Sequence, residues 1–177
     1  ERSNGAGSVA ISSEAATILW RPRREAVWFS RDRGKTWTFS AGLPPPPEAQ
    51  GWAPTGVRIA SDRVNPKKFY AFDPVAGVAY RSDDGGVTFV ETQRDFPKPP
   101  DYKMGSVSMQ GVPEREGEAW LTSSVGLHRS RDGGVTFETI AGVEDVQSVG
   151  FGKAAPGRSY PTLFVIATIA GTDGFFR

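Results

Sequence analysis

An octapeptide that occurs three times in register constrains this chain more than any other feature. It reads Ser30-Arg31-Asp32-Arg33-Gly34-Lys35-Thr36-Trp37, Ser82-Asp83-Asp84-Gly85-Gly86-Val87-Thr88-Phe89 and Ser130-Arg131-Asp132-Gly133-Gly134-Val135-Thr136-Phe137. All three fit Ser-x-Asp-x-Gly-x-Thr-(Phe/Trp). The copies lie 82 − 30 = 52 and 130 − 82 = 48 residues apart, and a fixed period of this size marks a repeat architecture, with a propeller high among the candidates. The chain ends on Phe175-Phe176-Arg177, which aligns with Val78-Ala79-Tyr80-Arg81 and Gly126-Leu127-His128-Arg129, the residues leading into two of the copies.

The motif has a physical reading of its own. Alternating residues precede it and β-branched or aromatic residues follow it, so it joins two strands in a hairpin. The central Asp32, Asp84 and Asp132 can accept backbone N–H bonds across the turn, as short acidic side chains do. Gly34, Gly86 and Gly134 are expected at positive φ. The terminal aromatics Trp37, Phe89 and Phe137 can pack between neighbouring sheets, and Ser30, Ser82 and Ser130 open each turn. The pattern resembles the Asp box, or bacterial neuraminidase repeat. An Asp in the same slot of every repeat reads as structural, because a catalytic carboxylate is needed once or in a pair.

Each repeat reads as four short strands, and no segment carries a helical apolar period longer than two turns. The predicted class is all-β, with about three and a half four-stranded antiparallel propeller blades at about 7–41, 56–92, 105–140 and an incomplete 146–177. Within the first three, the fourth strands are expected over Trp37–Phe39, Val87–Val90 and Val135–Glu138. Three and a half blades do not close a ring, and each end blade would leave one sheet face unpacked. The expectation is therefore part of a larger propeller of about seven blades, or half of one completed by a second chain.

Composition excludes several function classes. A formal net charge of +1 gives no electrostatic case for nucleic acid or an anionic membrane. No run of 18 or more apolar residues is present, so no helical membrane span is expected. With one His and no Cys, a nitrogen- or thiolate-rich metal site is not expected. Nothing calls for a cofactor. His128 reads as a packing or edge residue, and Asp62, beside Arg63, as salt-bridged or capping a turn. Asp73, Asp101, Glu116 and Glu118 carry no motif.

Blade geometry places the motif turns on one face and the blade-to-blade loops on the other. Two of those loops, 43–54 and 93–104, are proline-rich and carry an aromatic near the end, Trp52 and Tyr102. Both are candidates for stacking on sugar rings, since an aromatic face is an apolar platform and loops on a rigid scaffold concentrate function.

Three phrases narrow the match. Gly7-Ser8-Val9-Ala10-Ile11-Ser12, the stretch from Ala60-Ser61-Asp62-Arg63-Val64-Asn65-Pro66 to Phe72, and the stretch from Val149-Gly150-Phe151-Gly152-Lys153 to Pro161 resemble the C-terminal propeller of glycoside hydrolase family 74. That family comprises xyloglucan-specific endoglucanases and reducing-end-acting oligoxyloglucan cellobiohydrolases. The resemblance implies two seven-bladed propellers facing across a cleft, a polysaccharide substrate (xyloglucan or a related β-1,4-glucan) and secretion. It also implies inverting hydrolysis by two aspartates, one per propeller, roughly 6.5–9.5 Å apart to admit water. In the family the C-terminal propeller's Asp lies in an Asp-Ile-Gly/Cys-Gly-Phe-like segment, which does not occur here. The resemblance thus implies a cleft-forming segment with no catalytic residue of its own. The alternatives are a non-catalytic Asp-box propeller acting as a binding or assembly scaffold, like sortilin-type receptors or photosystem-assembly propellers, and a sialidase. The latter lacks any spacing for its arginine cluster and Tyr nucleophile.

Overall fold

A computed structural model describes residues 7–22, 25–45 and 56–177. Among the described residues, fifteen strands form four antiparallel meanders. The first contains β1 (Ser8–Ile11), β2 (Ile18–Arg21), β3 (Trp28–Ser30) and β4 (Thr38–Phe39). The second contains β5 (Arg58–Ser61), β6 (Phe69–Asp73), β7 (Val78–Ser82) and β8 (Val90–Gln93). The third contains β9 (Ser108–Gly111), β10 (Ala119–Ser123), β11 (Gly126–Ser130) and β12 (Glu138–Thr139). The fourth has three strands, β13 (Val143–Gly152), β14 (Thr162–Ile169) and β15 (Thr172–Phe176). A 3-10 helix, Asp101–Ser106, interrupts the connection from β8 to β9. Among the described residues no helix is long and apolar enough to cross a membrane.

Burial explains why these strands differ in pattern. The second sheet lies between two others, so β6 is apolar on both sides: Phe69 and Ala71 pack towards the first sheet with Leu19 and Val27, while Tyr70 and Phe72 pack towards the third with Met109 and Leu121. Such two-sided burial removes the usual alternation. Strand β10 behaves alike, with Ala119 and Leu121 facing one way and Trp120 the other, among Val146, Val149 and Val165 of the fourth sheet. Strand β2 has one covered face and alternates, with Leu19 and Arg21 buried and Ile18 and Trp20 half-buried. Each large apolar side chain buried this way contributes about 1.5–3 kcal/mol.

The motif turns join β3 to β4, β7 to β8 and β11 to β12. Ser30 Oγ donates to Asp32 Oδ1 at 2.9 Å and accepts the Gly34 N–H at 2.8 Å. The same pair of bonds recurs at Ser82, Asp84 and Gly86 (2.7 and 2.9 Å) and at Ser130, Asp132 and Gly134 (2.9 and 2.9 Å). Each Asp also accepts the N–H of the motif Thr, at 2.9, 3.0 and 3.0 Å. Gly34, Gly86 and Gly134 have φ of +85, +79 and +80. In the second and third turns the glycine also permits a close approach. A Cβ at Gly86 would lie 2.4 Å from Leu19 Cδ2, and one at Gly134 would lie 2.8 Å from the Tyr70 ring.

These bonds correct two expectations. The fourth strands do not begin inside the motif: β8 starts at Val90 and β12 at Glu138. The reason is that the Asp carboxylate, not the ladder, takes the N–H groups of Val87, Thr88, Val135 and Thr136. The aromatics also split. Phe89 is buried between the first and second sheets and Phe137 between the second and third. Trp37 instead meets Trp20 of its own sheet edge-on at 5.5 Å, and its indole N–H donates to Gly34 O.

Candidate functional site

A meander sorts its connections by end. The motif turns share one end with the β1–β2, β5–β6, β9–β10 and β13–β14 loops. The β2–β3, β6–β7 and β10–β11 hairpins and the sheet-to-sheet connections share the other. Tyr102 lies on this second end, in the 3-10 helix, with 82% of its surface exposed. The helix that carries it is fixed. Met104 is buried, Arg58 Nη2 donates to Met104 O at 2.8 Å, and Arg58 Nε donates to Val107 O at 2.8 Å. Upstream, Phe96 anchors the same connection by packing edge-on against Phe72, His128 and Phe137. An exposed ring on an anchored helix has the geometry that a stacking contact requires.

Polar groups flank the ring. Lys103 pairs with Asp145 at the start of β13, and that hydrogen bond, with smaller contributions from Tyr102 and Asp173, holds the ammonium above its usual range. Asp173 accepts the Thr168 hydroxyl nearby. Sequence reasoning missed Lys103 and Asp145, because 42 residues and a sheet boundary separate them and neither stands in a motif. Trp52, the other candidate stacking residue, lies outside the described residues.

Of the carboxylates singled out from the sequence, Asp101 opens the 3-10 helix beside Tyr102 and is exposed, while the others lie elsewhere or are engaged. Asp32, Asp84 and Asp132 are at the motif end, tied into their turns. Hydrogen bonds from the Thr36 hydroxyl and N–H lower Asp32 to about 2. Asp84 and Asp132 are also lowered: burial pushes each up, but the bonds from Thr88 and Ser82, and from Thr136 and Ser130, outweigh it. Asp62, fully buried at the motif end, caps its own turn by accepting Val64 and Asn65 N–H at 2.8 Å each. The described residues place no salt bridge on it. At the loop end, Asp73 Oδ1 accepts Val75 N–H at 2.9 Å and Ala76 N–H at 3.2 Å. Glu118 pairs with Arg129, and Glu116 with Lys68. His128 is buried, its Nδ1 is 3.0 Å from Thr139 Oγ1, and burial lowers its pKa. Among the described residues no cluster of three or more His, Cys, Asp or Glu is placed to hold a metal ion.

Four packed meanders with their loops gathered at one end define a stretch of β-propeller blades whose exposed end suits ligand contact. The chain belongs to glycoside hydrolase family 74, matching one part of those enzymes. It is 41% identical over 179 residues to a xyloglucanase of Paenibacillus sp, covering 98% of this chain and 16% of that protein. It is 39% identical over 174 residues to xyloglucanase Xgh74A of Acetivibrio thermocellus, covering 98% of this chain and 19% of that protein. The crystal structure of the family 74 enzyme from Niastella koreensis superposes with a TM-score of 0.77 at 28% identity, over 98% of this chain and 24% of that one. The chain thus spans about a fifth of the length of its relatives. No protein-family model matches it.

Proposed function

We propose that this chain forms part of one wall of the substrate cleft of a xyloglucan-hydrolysing, inverting glycosidase. It contacts the glucan through Tyr102 and Trp52, and the two reacting aspartates lie outside these 177 residues. The match to xyloglucanases along 98% of the chain carries the reading. Two features support the division of labour. The motif aspartates are held as turn acceptors at the end opposite Tyr102, and Tyr102 projects from an anchored helix. An aromatic face stacks on the C–H face of a pyranose, while Lys103, Asp145 and Asp173 can exchange hydrogen bonds with ring hydroxyls. A polysaccharide substrate of this size places the enzyme outside the cell.

Calorimetric titration of a xyloglucan heptasaccharide into the purified chain and its Tyr102→Ala variant tests the contact. Loss of one stacking aromatic should weaken binding about tenfold, a step of roughly 1.4 kcal/mol. An unchanged affinity would remove Tyr102 from the site.

A further inference from the structure

Arg21 closes β2 between the first and second sheets, and only 5% of its surface is exposed. Its Nε has no hydrogen-bond partner among the described residues, and its Nη1 donates to Pro22 O at a long 3.3 Å. Burial lowers its pKa, with no carboxylate acting against that shift. Ser8, directly opposite Arg21 in the β1–β2 register, also buries a hydroxyl without a partner among the described residues.

A second guanidinium comes to the same place. Arg58 Nη1 donates to Gly56 O at 2.9 Å, and a Cβ at Gly56, whose φ is +132, would lie 2.6 Å from Arg21 Nη1. Burial, and after it the charge of Arg21, hold Arg58 down to about 10. The two cations therefore repel each other where solvent and salt screen them little. A water against Nε would satisfy the donor but leave that charge uncompensated, whereas an anion would meet both needs.

Beside Arg21 the sheets leave a cavity of about 90 Å³, walled by Val27, Val57, Pro44 and Pro45. At roughly 30 Å³ for a water-sized particle, it takes one small ion with a water or two. Glu25 and Asp73 also line it, and Asp73 Oδ1 is taken up by the N–H groups of Val75 and Ala76. Their charges oppose a dianion such as sulfate and leave room for a single negative charge. The Nε edge of a guanidinium presents parallel N–H groups that match a carboxylate or hold a halide.

We infer that this cavity is a binding site for one small monovalent anion, a halide or a short carboxylate, held against Arg21 between the first and second sheets. Bound there, the anion offsets the buried charge of Arg21 and Arg58 and ties the two sheets together at the loop end. The site stands apart from the glucan contact and does not depend on it.

Thermal melts of the purified chain at one pH and one ionic strength test the site, with sodium chloride, sodium formate or sodium gluconate as the salt. Gluconate carries the same charge on a body too large for the cavity. Wild type should melt about 2–4 °C higher in chloride or formate than in gluconate once the small anion exceeds its Kd about fivefold. That gain should saturate with concentration. A rise in chloride alone identifies a halide site, in formate alone a carboxylate site, and in both a site that selects by size and charge. Arg21→Met removes the charge at similar volume, and Val75→Trp closes the mouth from a position 41% exposed. Both should abolish the difference between salts. Equal melting of wild type in all three salts overturns the site. So does a rise that survives in either variant, because it would then be a general effect of salt on the surface. Val75 belongs to none of the buried clusters, so Val75→Trp decides the outcome should Arg21→Met not fold.

Discussion

The buried carboxylate of Asp62 accepts the backbone N–H of Gly117 at 2.7 Å, joining the second sheet to the third across 55 residues of sequence. The same Oδ2 accepts the Tyr70 hydroxyl at 2.6 Å, while Oδ1 caps the β5–β6 turn. Asp62→Ala strands a buried hydroxyl and a buried amide, each worth about 1–3 kcal/mol, so a loss of about 3 kcal/mol or more is expected. Asp83, whose ion pair with Arg81 at 3.2 Å is open to solvent, should tolerate the same change within about 1 kcal/mol. Urea unfolding of both variants checks the contrast, and equal midpoints would contradict it.

Gly134 and Gly142 both adopt positive φ, +80 and +76. A Cβ at Gly134 meets Tyr70 at 2.8 Å, while one at Gly142 meets nothing within 4 Å. Gly142→Ala therefore pays only the left-handed backbone cost, about 1–2 kcal/mol. Gly134→Ala adds overpacking of about 1–3 kcal/mol more. Thermal melts should rank the two in that order; the reverse ranking would show that the approach to Tyr70 is not constraining.

The motif aspartates set the acid limit of the fold. Their pKa values are depressed in the folded state, to about 2 for Asp32, against about 3.9 unfolded. Their contribution is therefore complete above that unfolded value and is lost as pH falls through the folded ones. Denaturation midpoints at stepped pH should drop between about 4 and 2, and Asp132→Asn should shallow that drop. A profile unchanged by the substitution would contradict the turn-acceptor role.

His128 acts in the same direction at higher pH. Burial depresses its folded pKa, so the unfolded chain takes up a proton below about 6.5 while the native imidazole stays neutral. Stability should be highest above that pH and fall between it and the lower folded value. His128 is the sole histidine, so His128→Gln should remove this slope. Equal slopes in variant and wild type would show that the side chain titrates freely.

Much of the fold was legible because the repeat repeats. Ser82, Asp84, Gly86 and Phe89 predict a hairpin at the position where Ser130, Asp132, Gly134 and Phe137 predict another, and each copy checks the other. What sequence could not show was which backbone groups the Asp would claim, so the strands after Val87 and Val135 were placed three residues early. The 3-10 helix under Tyr102 was also hidden, because Arg58, from a distant strand, secures the carbonyl of Met104. Lys103 and Asp145 meet only through sheet packing, and no local pattern in the sequence marks the pair.

The central claim is that this chain contacts xyloglucan without supplying the groups that cleave it. The most direct measurement incubates the purified chain with xyloglucan, following retention on the polymer and release of reducing ends in the same sample. The account predicts retention with no reducing ends above the substrate blank. Reducing ends released in proportion to the chain added would contradict it, and would place a working pair of carboxylates within these residues.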